Sequence, residues 1–119
     1  MFLPISIIYA QKRDVIYRIA TDYYPTIGYS YVVSVLYLKD DNTYRLLEQQ
    51  YNSRKMARKN VLKKSNDEYG MWEISADTLK LYDNENRPSA KFIMSDNKKM
   101  TFLFHDIERS KSCWRKIKN

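Results

Sequence analysis

The chain has 119 residues and a formal net charge of +7 at neutral pH, with 44% hydrophobic and 14% aromatic side chains. That length makes one domain able to bury a core without staples, while a lone Cys113 excludes an internal disulfide and two glycines exclude a Gly-rich phosphate loop. Eleven tyrosines, with only two glycines and three prolines, exclude a low-complexity chain and favour pleated sheet.

Residues 2–9 (FLPISIIY) carry no charge, Ala10 is small, and Gln11 leads into Lys12-Arg13-Asp14. An apolar run closed by a small residue and followed by charges has the form of the end of a secretory signal peptide. Residues 1–10 are therefore expected to be a signal remnant and residues 11–119 the mature domain. A positive segment ahead of the run is missing, and Ile8 is unusual at its position before the cut. A start codon placed too far downstream accounts for both. The alternative is a first strand in which Ile5, Ile7 and Tyr9 alternate. No cysteine follows the cut, so a lipid anchor is not expected, and no stretch nears the roughly 18–20 apolar residues that span a bilayer.

A short apolar run in DVIYRIATDYYPTIGY ends at Tyr23-Tyr24-Pro25, and residues 29–38 (YSYVVSVLYL) have the strongest strand character in the chain. KDDN breaks that strand and TYRLLEQQY resumes it, predicting a hairpin about Asp41-Asn42, residue types that tolerate left-handed turns. Residues 52–67 (NSRKMARKNVLKKSND) lack β alternation and carry Arg54, Lys55, Arg58, Lys59, Lys63 and Lys64. Ser53 suits a helix N-cap, but cations in the first turn oppose the helix dipole, so a basic loop or short helix is expected. Alternation then returns. Trp72 with Ile74, Leu79 with Leu81, Ala90 with Phe92 and Met94, and Met100 with Phe102 and Phe104 each share a face. Turn signals near residues 76–77, 83–88, 96–98 and 106–110 separate these runs. The pattern predicts an all-β fold, an antiparallel up-and-down meander closing as a small barrel or half-barrel. Tyr44, Leu46, Trp72, Ile74, Leu79, Leu81, Phe92 and Phe102 should line its interior, as packed core or as a pocket for a small apolar ligand.

The order Asp41-Asn42-Thr43-Tyr44, Gly70-Met71-Trp72, Leu79-Lys80-Leu81 and a basic closing strand (CWRK) resembles the small lipocalin-like barrel domains of bacterial envelope proteins. The likeness runs from about Val33 to Lys116 and implies a secreted or periplasmic barrel with no shared chemistry. Some such domains carry a Cys-x-x-Cys pair for copper; it is missing here, and no metal role follows from the resemblance.

His105 is the only histidine. With Cys113 it falls short of the three or four N or S ligands of a zinc or copper site. A Cys113–His105 nucleophile pair across a hairpin is geometrically conceivable, but Cys113 beside Trp114 is better read as a buried, inert thiol. Asp40, Asp41, Asp67, Glu68, Asp83 and Glu85 are expected at turns, where aspartates bond the local backbone. No catalytic residue, metal or cofactor is assigned. The six cations between Arg54 and Lys64 are the candidate contact for an acidic protein or another anionic surface. The expected function is a non-enzymatic, exported, monomeric barrel that binds a partner protein or small apolar ligand in the periplasm or outside the cell. The alternative is a cytoplasmic basic β domain for nucleic acid or an acidic protein. An exported chain would rarely meet nucleic acid, and no ribonucleoprotein motif is present.

Overall fold

The computed structural model describes residues 14–24, 28–96, 98–104 and 108–118. Strands β1 (Val15–Tyr23), β2 (Ser30–Leu38) and β3 (Thr43–Tyr51) precede a one-turn helix, α1 (Arg54–Arg58). Strands β4 (Lys64–Ser75), β5 (Thr78–Asp83), β6 (Pro88–Met94), β7 (Lys99–Phe104) and β8 (Glu108–Lys118) complete the chain. Each strand pairs antiparallel with the next, and β1 returns to β8 to close the barrel. Residues 1–10, expected to be a signal remnant, and His105 lie outside the described residues.

Local chemistry sets the turns. Asn42 takes the left-handed conformation at φ 68°, Asp41 Oδ1 accepts from the Thr43 N–H at 3.0 Å, and the Lys39 N–H closes the hairpin on the Thr43 carbonyl at 2.9 Å. Asp83 accepts from the N–H groups of Glu85 and Arg87 at 2.9 and 3.0 Å, and these bonds hold its carboxyl below the usual range. Asp67 and Glu68 do not follow the turn expectation. Both lie within β4, opposite Leu47 and Leu46.

The register sorts side chains into two faces. Tyr17 opposes Leu36, Leu38 opposes Tyr44, Leu79 opposes Phe92 and Met100 opposes Trp114. All of these are buried in one core. Every one lies towards the end where β2 joins β3, β4 joins β5 and β6 joins β7. Phe92 meets Phe102 and Trp114 edge-on, with ring centres 5.6 and 5.4 Å apart, the arrangement that ring quadrupoles favour. Leu46, Trp72 and Phe102 are partly buried against this core.

Ile74 corrects the expectation. It opposes Leu79 on the inner face yet remains 46% exposed, because it stands at the rim, just before the 76–77 turn, and no described residue buries it.

Two features pin β4. The Trp72 indole N–H donates to the Lys39 carbonyl at 2.9 Å, and its backbone N–H reaches the Asn42 carbonyl at 2.9 Å. Gly70 sits under the Tyr44 ring beside the Tyr82 carbonyl, where a Cβ would lie 2.6 Å from Tyr44 Cε2 and 3.0 Å from the Tyr82 carbonyl carbon. Only a residue without a side chain lets these strands approach.

The other end of the barrel is splayed. The β4–β5 ladder begins at Gly70, so residues 64–69 pair only with β3. The β1–β8 ladder covers Ile16 to Arg18. Most inward-facing positions there are polar, namely Thr21, Ser34, Glu48, Gln50, Asn66 and Glu68, with Val32 and Tyr23 among them.

Candidate functional site

The basic segment folds as α1 plus a loop at the splayed end. Ser53 is extended (φ −162°, ψ 169°) and its Oγ accepts from the Met56 N–H at 3.1 Å, satisfying one of the first-turn donors. The helix ends in a Schellman arrangement. Asn60 is left-handed at φ 58°, its N–H bonds the Ala57 carbonyl at 3.1 Å, and the Val61 N–H bonds the Met56 carbonyl at 2.9 Å. These two caps outweigh the unfavourable placement of cations in the first turn. The irregular segment expected over residues 52–67 is shorter than its composition suggests, because β4 already begins at Lys64.

Two of the six cations are spent on structure. Arg54 Nη2 pairs with Asp22 Oδ2 at 2.7 Å and its guanidinium lies 5.5 Å from the centre of the Tyr31 ring. The Tyr29 hydroxyl donates to the same carboxylate at 2.6 Å, and Arg54 and Tyr29 together hold the Asp22 carboxyl below its ordinary range. Lys63 Nζ donates to Ser30 Oγ at 3.2 Å. The 52–63 loop is thus tied across β2 to β1. Lys55, Arg58, Lys59 and Lys64 are exposed and make no ion pair among the described residues. Asp67, the nearest acidic residue in sequence, is engaged by Arg45 at 2.7 Å. The structure brings the four free cations onto one rim.

Beside this rim opens a polar cleft. A cavity of about 370 Å³ is lined by Thr21, Tyr23, Val32, Ser34, Glu48 and Gln50. A neighbouring one of about 350 Å³ is lined by Leu46, Glu48, Asn66, Asp67 and Glu68. From the core, the Tyr44 hydroxyl donates to Glu68 Oε2 at 2.6 Å, with Ser89 Oγ donating to the same oxygen at 2.9 Å. Burial first, then the bond to Glu68, pushes the Tyr44 phenol up to about 12.

Of the eight interior residues expected to line a pocket, Tyr44, Leu79, Leu81 and Phe92 are core, Leu46, Trp72 and Phe102 pack against it, and Ile74 is at the rim. Cys113 departs from the expectation of a buried thiol. It opposes Thr101 on the outer face, is half-buried, and its Sγ lies 3.6 Å from the Trp114 carbonyl. Alternation turns it away from the core that its neighbour Trp114 enters. Among the described residues no three His, Cys, Asp or Glu side chains gather as a metal site.

Two features escaped the sequence. One is the polar cleft, whose inward-facing Thr21, Ser34, Glu48, Gln50, Asn66 and Glu68 break the apolar half of the alternation. The other is Val61-Leu62, an exposed apolar pair at the tip of the basic loop. The visible signal was its placement between Arg58-Lys59 and Lys63-Lys64.

An eight-stranded antiparallel meander, closed on itself and filled by side chains at one end, is a lipocalin-like barrel. No family model and no curated protein matches the sequence. Among solved structures, the chain is similar to the Cpx pathway activator NlpE from Escherichia coli, with a TM-score of 0.57 and 18% identity over 81% of this chain and 46% of that one. The likeness is one of fold, and this chain spans about half the length of that one.

Proposed function

We propose that the protein is a non-enzymatic, exported barrel domain of the bacterial envelope that docks on an anionic surface through the rim bearing α1. The observation that carries this is the set Lys55, Arg58, Lys59 and Lys64, all exposed and unpaired among the described residues. Unneutralised charges on one rim focus potential and speed encounter with acidic partners. The apolar interior favours a structural role, because its large side chains pack on one another. Export is supported by the uncharged opening run and Ala10, and a binding role by the likeness in fold to a protein described as a pathway activator.

The test uses adsorption to polyglutamate-coated beads across a salt titration. Replacing Lys55, Arg58, Lys59 and Lys64 with Gln should release the protein at markedly lower salt than wild type. A control replacing Lys80, Lys98, Lys99 and Arg115 loses the same four charges elsewhere and should release close to wild type. Exposed charges act over about 8–10 Å near physiological ionic strength, so position should matter more than net charge. Equal release by the two variants would reduce the rim to a share of the overall charge and refute the proposal.

A further inference from the structure

We propose that the anionic surface met by this rim is a phospholipid bilayer, with Leu62 and Val61 entering the headgroup region and Tyr24 and Tyr23 lying at the interface. This rests on the docking role of the α1 rim and gives that role a chemistry.

Charge alone does not account for the rim. Four large apolar or aromatic side chains are exposed at this end: Tyr24 at 75%, Tyr23 at 56%, Val61 at 51% and Leu62 at 44%. They come from the end of β1 with the residue after it and from the loop after α1, segments linked by the Arg54–Asp22 ion pair and the Lys63–Ser30 bond. The Tyr24 ring lies 5.3 Å from that of Tyr29, whose hydroxyl anchors on Asp22. Val61 has a partial structural reason, since its N–H closes the Schellman turn on the Met56 carbonyl, a position where an apolar residue commonly leans on the helix. Leu62 holds no helix-capping position, and its exposure together with Val61, Tyr23 and Tyr24 groups apolar surface of the kind that marks contact sites.

The order Arg58-Lys59-Asn60-Val61-Leu62-Lys63-Lys64 brackets the apolar pair with cations. Cations meet lipid phosphates, aliphatic side chains reach the acyl boundary, and tyrosine rings suit the layer between. Single-stranded nucleic acid would use stacking rings and phosphate contacts and would leave Leu62 idle. An acidic protein would need a matching apolar pocket, so it becomes an outcome of the test.

The experiment measures co-sedimentation of the full chain with vesicles of phosphatidylcholine alone and of phosphatidylcholine mixed equally with phosphatidylglycerol. Binding to the mixed vesicles only is expected. Leu62→Asn and Val61→Asn/Leu62→Asn keep every charge, and each should weaken vesicle binding by about tenfold or more while leaving retention on polyglutamate beads unchanged. Leu62→Asn alone leaves the helix cap intact, which guards against loss of α1 in the double variant. Leu62→Trp should show a blue shift in emission with the mixed vesicles that wild type lacks. Vesicle binding that is indifferent to Leu62 would overturn the insertion and leave a purely electrostatic rim. Retention on beads without vesicle binding would overturn the bilayer and point to an acidic protein. Failure on both would overturn the docking role itself.

Discussion

Gly70→Ala tests how the barrel holds its strands in register. The added methyl would overlap the Tyr82 carbonyl oxygen and meet Tyr44 Cε2 at 2.6 Å. The first obstacle is backbone, which no rotamer change relieves, so β4 and β5 must separate at the start of their ladder. Overpacking of this kind costs roughly 1–3 kcal/mol. Moving the Tyr44 ring also strains its bond to the Glu68 carboxylate, a charged type worth about 1.5–3 kcal/mol when intact. A total near 3 kcal/mol follows, which for a chain of this size lowers the melting temperature by roughly 10–15 °C. Gly28→Ala supplies the control. Gly28 has φ +83° with nothing within 4 Å of an added Cβ, so its cost is the left-handed backbone alone, about 1–2 kcal/mol. Circular-dichroism melts of the two variants should therefore separate, with Gly70→Ala much the less stable. Equal melting temperatures, or a Gly70→Ala melt close to wild type, would mean that β4 and β5 are not packed as described.

Two other outcomes are expected. The Tyr44 phenol is raised from its ordinary 10.0 to about 12, so the folded state holds its proton more tightly than the unfolded chain. That contribution is whole below pH 10 and is lost as pH rises from about 10 towards 12; urea midpoints should fall more steeply over that window in wild type than in Tyr44→Phe, and parallel slopes would refute the assignment. Since β1 as described begins at Val15, a chain starting at Gln11 keeps every described residue of the barrel, and on the export reading it should melt with wild type; a drop of several degrees would make the opening run structural and remove the main support for export.

How far the sequence disclosed this molecule depends on where water lies. Alternation marks a strand only when one of its faces is dry. Leu79, Leu81 and Phe92 stand in the closed half and were identifiable from spacing alone. Residues 64–69 pair with β3 just as regularly, but both faces of that stretch are wet, and nothing in KSNDEY separates it from a loop. Ser34, Glu48 and Gln50 point inward for the same geometric reason as Leu36 and Leu46 and are polar because the splayed end admits solvent. Ile74 fails in the opposite sense, having the right parity and an apolar side chain but a place at the rim, where no described residue buries it.

The rim obeys a similar limit. Six cations within eleven residues could be counted, yet Arg54 finds its carboxylate 32 positions away at Asp22, and only the fold separates it from Lys55, Arg58, Lys59 and Lys64. Its engagement also changes what the others can do. The clamp from Arg54 to Asp22 and from Lys63 to Ser30 fixes the loop against β1 and β2, so the remaining cations and Leu62 are presented together at little ordering cost on binding. A loose basic loop would have to lose that freedom at each encounter. Acid should therefore weaken docking through Asp22 as well as through the partner's own charge, since protonating this one carboxylate releases both Arg54 and the Tyr29 hydroxyl that braces Tyr24.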